Sequence, residues 1–203
     1  MAGSLSGDIL PPQVIYQGKM DQCHAKFNFP EDWHTTHTEN HWDNTSTSYD
    51  YVDNIITPYV LDVKDNLDLS FAQKSLIILD FFSAQLREDF RNYMLSKNLV
   101  FVYVPADCTS KLQPIDLSVH KCVKDRMRKA FEDHYAEKVA ESIQDKTEVN
   151  IELAMTTLKP LSARWLVSAI DYLKANPKIV YNGFHNAGIA ERLAYEFDDE
   201  QIP

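Results

Sequence analysis

The sequence predicts an α/β fold with a helical C-terminal extension, and three observations carry that expectation. Two apolar runs, Leu76 to Leu79 and Leu99 to Val104, are short, continuous and partly β-branched, the pattern of strands buried on both faces of a parallel sheet. The amphipathic segment Arg87 to Lys97 lies between them, which makes a right-handed βαβ crossover the natural connection. Beyond Gln144 the apolar residues recur at helical spacing.

Taken in order, Ser6-Gly7-Asp8 reads as a hairpin turn, and Asp8 to Gln17 as a strand that Pro11-Pro12 confines to an edge. An edge strand without a neighbour invites aggregation. The segment around Cys23 to His41 reads as loop. Asn44 to Asn66 reads as a helix that buries Tyr51, Val52, Ile55, Ile56, Tyr59, Val60 and Val63 and kinks at Pro58. The second apolar run stops at Pro105 and gives way to the polar connector 106–110. A long helix then begins near Asp116, with Pro114 at its entry and Val119, Val123, Met127, Phe131 and Tyr135 on its buried face. Pro160 reads as a first-turn residue ahead of Leu161, Trp165, Leu166, Ala169, Ile170 and Leu173. Asn176-Pro177 opens a last helix that Gly188 closes. The acidic tail with Glu196, Asp198, Asp199 and Glu200 reads as frayed.

Two carboxylates stand out against this frame. Asp80 ends an apolar strand, where burying an ionised acid costs several kcal/mol unless it is paired, hydrogen-bonded or metal-bound. It therefore belongs at the C-terminal edge of the sheet, where open α/β sheets bind ligands. Asp116 is open to two readings, a helix N-cap or a second acid facing the first. Paired acids in such places suggest metal chemistry.

Composition narrows the field. With 44% hydrophobic and 25% charged residues, the 203-residue chain has an ordinary globular profile and can bury one good core. Met1-Ala2-Gly3-Ser4 lacks the features of a signal peptide, and no apolar stretch approaches the roughly 18 residues of a membrane span, so a soluble intracellular protein is expected. Cys23, Cys108 and Cys122 are an odd set and read as reduced thiols. No nucleophile elbow and no phosphate-binding glycine loop is present. The net charge of -10 opposes DNA binding by bulk electrostatics. Locally, however, Lys121, Lys124, Arg126, Arg128 and Lys129 cluster beside Asp116, either as a solvated helix face or as a track for nucleic acid. A zinc-stabilised interaction module is a further reading, from Cys23, His24, His34, His37 and His41, with His34-x-x-His37-x-x-x-His41 as its core and hydrogen-bonding loop histidines as its alternative.

Several segments in one order resemble a known family. They are Leu5-Ser6-Gly7-Asp8-Ile9-Leu10-Pro11-Pro12-Gln13-Val14-Ile15-Tyr16-Gln17-Gly18-Lys19, Thr38-Glu39-Asn40-His41-Trp42, Leu79-Asp80-Phe81-Phe82, and Val104-Pro105-Ala106-Asp107-Cys108-Thr109 running into Leu112-Gln113-Pro114-Ile115-Asp116. From Gly3 to about Ile189 the chain resembles the DDE endonuclease superfamily, in its pogo and Tigger branch of transposases and the cellular proteins derived from them. The resemblance implies an RNase H-like mixed sheet flanked by helices. It also implies a catalytic triad of acids holding two Mg²⁺ (or Mn²⁺) ions, a DNA partner and a nuclear location. Asp80 matches the second acid and Asp116 the third. The first acid of the family lies on a strand upstream of the Leu-Ser-Gly-Asp turn and has no match here, so the first strand of the fold is expected to be missing and cleavage impaired. The alternative is an active Mg²⁺-dependent endonuclease or strand transferase once a longer product or a partner chain supplies that part. The expected organisation is an endonuclease-like domain over 3–144, a helical subdomain over 145–190 and an acidic tail over 191–203, with an additional protein partner possible and the oligomeric state open.

Overall fold

Both apolar runs form strands in the computed structural model, which describes residues 1–80, 85–149 and 152–196. Strand β3 (Ser75–Leu79) pairs in parallel with β4 (Leu99–Tyr103), from Ser75 opposite Leu99 to Leu79 opposite Tyr103. The helix between them, α3 (Glu88–Ser96), lies within the expected segment. The continuous run of β3 is explained by two cores that meet on it. Ile78 packs into one, and Ile77 and Leu79, on the opposite face, pack into the other.

The other two strands also form a parallel pair, β1 (Gln13–Gln17) with β2 (His34–Thr38). Nothing in the sequence signals β2, because His34-Thr35-Thr36-His37-Thr38 lacks alternating apolar residues; it covers one side of β1, which among the described residues stays an edge strand. The expected strand from Asp8 is shorter, since Gly3 and Ile9 form an isolated antiparallel bridge around the Ser4–Asp8 turn. Gly7 takes φ 101 in that turn, with Pro177 against the place a Cβ would occupy. The fold is α/β, helix-rich, with two small parallel sheets in place of one mixed sheet among the described residues.

Helix α1 (Thr45–Tyr51) starts on a capping box: the Asn44 side chain accepts from the Thr47 N–H at 3.1 Å, and the Thr47 hydroxyl accepts from the Asn44 N–H at 2.8 Å. A π-helical turn, Val52–Ile56, joins it to α2 (Thr57–Asn66). There the Thr57 N–H reaches back to Val52, widening the helix just ahead of Pro58, which cannot donate. Val52, Ile55 and Ile56 meet Phe90, Met94 and Leu99 in the second core, where Met94 is wholly buried.

The expected long helix is broken. A short α4 (Thr109–Leu112) and α5 (Pro114–Leu117) precede α6 (Val119–Gln144), and Ser118 at φ -139, ψ -57 separates α5 from α6. Val119 and Val123 are buried and Met127 partly so, whereas Phe131 and Tyr135 are exposed, because the core ends at the third turn. Helix α7 (Met155–Lys174) begins before Pro160, which lies inside it. The N–H groups of Thr157 and Leu158 both bond the Ala154 carbonyl, so the helix nucleates one turn earlier than Pro160 suggests. Helix α8 (Pro177–Asn186) and α9 (Ile189–Glu196) follow, with Gly188 at φ 71 between them. Ala169, Ile170 and Leu173 of α7, Val180 and Phe184 of α8, and Val119 and Val123 of α6 share the first core with Ile9 and Trp33. The core thus runs across the 144/145 boundary. No described helix is long and apolar enough to cross a membrane. The acidic tail beyond 196 and Phe81-Phe82 lie outside the described residues.

Candidate functional site

Asp80 stands one residue beyond the last pair of the β3–β4 ladder, exposed at the C-terminal end of β3. The ladder fixes it there, since the Val104 N–H closes onto the Leu79 carbonyl at 2.8 Å. Asp116 is the third residue of α5, whose N-cap is Gln113. Its carboxylate accepts from His120 Nδ1 one turn on, across the Ser118 break, and not from a backbone N–H at a helix start. The cap reading is therefore replaced by a side-chain pair, because the break puts the next helix start at Val119.

The position of α5 is set by α8. A Cβ on Gly183 would lie 2.2 Å from the Pro114 carbonyl oxygen, so only glycine lets the two backbones come this close. Asp80 lines a cavity of about 720 Å³ together with Gln85, Gln113, Ile115 and His120, the partner of Asp116. Ile15 of β1 forms one wall and Ile77 of β3 another, so the cavity runs between the two sheets. The side-chain oxygens of Gln85 and Gln113 are buried without a hydrogen-bond partner. His120 and Gln85 lie outside the quoted motifs, and Gln113 lies inside one without a role of its own; the i,i+4 spacing of Asp116 and His120 was the available signal.

Hard carboxylate oxygens are the right chemistry for Mg²⁺. Among the described residues, however, Asp80 and Asp116 belong to no group of three or more acids, histidines or cysteines whose ligand atoms converge, and His120 engages Asp116. These two acids alone do not fit a two-ion site.

The five cations of α6 do not share one face. At about 100° per residue, Lys121, Lys124 and Arg128 fall on one exposed stripe, with Lys129 at its margin and Arg126 turned away. Arg126 stacks its guanidinium 3.6 Å from the centre of the Tyr172 ring, joining α6 to α7. Arg128 pairs with Asp125 at 3.4 Å and Lys129 with Asp133 at 3.2 Å. Such exposed pairs are weak and can be exchanged for phosphate contacts.

The histidine-rich segment is also rearranged. His34 and His37, three residues apart on β2, point to opposite faces. His34 Nδ1 meets Gln13 Nε2 at 3.0 Å, and His41 lies beyond β2, stacked on Trp42. His37 instead gathers with Cys23 and His24 from the 3₁₀ turn Asp21–Cys23 and the residue after it, all ligand atoms lying within 4.8 Å of one another. Burial pushes the His24 imidazole below the ordinary histidine range, opposed by the Asp21 charge.

The family model described as DDE superfamily endonuclease matches residues 3–168. A human protein described as "Pogo transposable element with ZNF domain" is 23% identical over 183 residues, which is 90% of this chain and 12% of that protein. The chain thus spans about an eighth of the length of this curated relative. No solved structure matches. With four fifths of its residues under one family model and a pogo relative along nearly all of its length, the chain belongs to the DDE superfamily endonucleases, as a domain of the pogo type.

Proposed function

We propose that this chain is a transposase-derived, nucleic-acid-binding domain with an RNase H-like ancestry that does not cleave DNA strands by itself. The observation that carries the reading is the state of the two acids. Asp80 and Asp116, the acids that the resemblance matches to the family's second and third positions, belong to no converging group of three or more metal-ligating side chains among the described residues, and Asp116 pairs with His120. Nucleic acid is bound along the Lys121, Lys124 and Arg128 stripe, with Lys129 at its margin, which starts one turn after Asp116. Arg126 supports the stripe by anchoring α6 to Tyr172. A nuclear location follows from the same reading.

The test pairs binding with cleavage. Replacing Lys121, Lys124 and Arg128 by Gln should weaken duplex DNA binding and reduce its salt slope by up to about 3, roughly one for each phosphate that is no longer neutralised. Supercoiled plasmid with Mg²⁺ or Mn²⁺ should stay intact; nicking by the wild type that Asp80→Asn or Asp116→Asn abolishes would sink the inactive reading.

One observation favours a second reading, an active Mg²⁺-dependent endonuclease assembled from more than this chain. Among the described residues β3 pairs only with β4, and β3 with Asp80 lines the apolar cavity between the sheets. A strand bearing an Asp, from a longer product or a partner chain, would add to β3 there. Nicking that appears only with the longer product would favour this reading.

A further inference from the structure

We propose that Cys23, His24 and His37, with Asp21 as the fourth donor, form a tetrahedral transition-metal site whose donor chemistry selects Zn²⁺. It is separate from Asp80 and Asp116 in residues and in chemistry. His24 Nε2 and His37 Nδ1 stand 3.1 Å apart. Two imidazole nitrogens on one zinc at about 2.0 to 2.1 Å each lie about 3.3 Å apart, so the observed separation is close to that of ligands sharing an ion. The Cys23 sulfur and the two imidazole nitrogens all lie within 4.8 Å of one another, and Asp21 Oδ1 lies 3.5 Å from His37 Nδ1 and 3.9 Å from His24 Nε2, within reach of an ion on the side of the two imidazoles. One thiolate, two imidazoles and one carboxylate in a four-cornered arrangement suit zinc better than the hard cations Mg²⁺ and Ca²⁺.

The surroundings hold these donors in place. His37 is opposite Tyr16 in the β1–β2 register, and His24 stacks on Tyr16 with ring centres 5.3 Å apart. The end of β1 lies against Cys23, since a Cβ on Gly18 would come 2.5 Å from the Cys23 Cβ and 2.6 Å from its sulfur. Lys159 of α7 donates to the Cys23 carbonyl at 2.7 Å. His24 and His37 are mostly buried, with side chains 19% and 26% exposed, while Asp21 at 89% lies on the solvent side. Binding releases the thiol proton of Cys23 to solvent and ties the connection between β1 and β2 to the sheet. The role is structural, since all four positions are filled by the protein.

The test uses the whole chain, stripped with a chelator and then titrated with Zn²⁺, and separately with Co²⁺ as a spectroscopic stand-in. One equivalent should bind, raise the thermal midpoint, and give the strong visible bands of tetrahedral cobalt with a thiolate charge-transfer band. Cys23→Ser should remove the charge-transfer band, and His37→Gln should abolish stoichiometric binding. Asp21→Asn should weaken binding, while His34→Gln, His41→Gln and the Asp80→Asn/Asp116→Asn double variant should bind as the wild type does. The wild-type cobalt spectrum needs no variant to fold, and absence of the thiolate band there overturns the site. Full-strength binding in Cys23→Ser and His37→Gln, or in Asp21→Asn, overturns the assigned ligand set, as does loss of binding in His34→Gln.

Discussion

His120 donates to the Asp116 carboxylate across the Ser118 break, so one side-chain pair spans the junction of α5 and α6. Both side chains are about a third exposed, which limits the contribution of the pair. A double-mutant cycle with Asp116→Asn and His120→Gln, read by urea unfolding, should give a coupling of about 0.5 to 1 kcal/mol. Strict additivity of the two substitutions would contradict the contact.

Gly183 sets how closely α8 approaches the turn that carries Asp116. The Pro114 carbonyl oxygen and, at 2.6 Å, the Ser118 hydroxyl occupy the space a Cβ would need. Gly183→Ala gains helix propensity, worth up to about 1 kcal/mol, but the backbone oxygen cannot move aside cheaply. Net destabilisation of about 1 to 3 kcal/mol is expected from such overpacking. A thermal midpoint at or above that of the wild type would refute the close approach.

Lys64 is 4% exposed, and its ammonium donates to the carbonyls of Phe71 at 3.2 Å and Gln73 at 2.5 Å. It pins the 66–74 connection ahead of β3. Lys64→Met keeps the stem but leaves two carbonyls without their donor, at a cost of about 1 to 3 kcal/mol. Lys121→Met on the exposed stripe should change stability by no more than about 0.5 kcal/mol. Equal denaturant midpoints for these two variants would argue against the buried role of Lys64.

Asp8 accepts from Tyr59 at 2.7 Å, Ser6 at 2.8 Å and Ser4 at 3.0 Å, and these bonds, the Tyr59 one foremost, hold its carboxyl below the ordinary value of 3.8. The unfolded chain therefore takes up this proton first as pH falls. The stabilisation is complete above the unfolded pKa and is lost as pH drops through the folded one. Tyr59→Phe should lower stability at neutral pH and reduce the fall in midpoint between neutral pH and about pH 3. An unchanged pH profile would show that the Tyr59 bond does not hold the carboxylate.

The helices were legible where side chains repeat along one face. Asn44 opens the first of them because its side chain and that of Thr47 satisfy each other's N–H groups, a purely local fact. The β3-α3-β4 unit was legible for a similar reason, since an apolar run of strand length on either side of an amphipathic segment has few other ways to be buried. Strand β2 was not legible, because His34 to Thr38 gains its strand geometry from the β1 backbone and not from its own side chains.

The site divides along the same line. The motifs around Asp80 and Asp116 and the cations near them lie in continuous stretches, so the sequence by itself determined the α/β class, the family and the residues to inspect. Only tertiary structure decided that Asp116 turns to His120, that Arg126 leaves the cationic stripe for Tyr172, and that His37 joins Cys23 and His24 instead of His34 and His41. The physical reason is that local sterics and periodicity are written in neighbouring residues, whereas the partner of a polar side chain depends on the register of a strand, the break of a helix and the approach of a distant backbone.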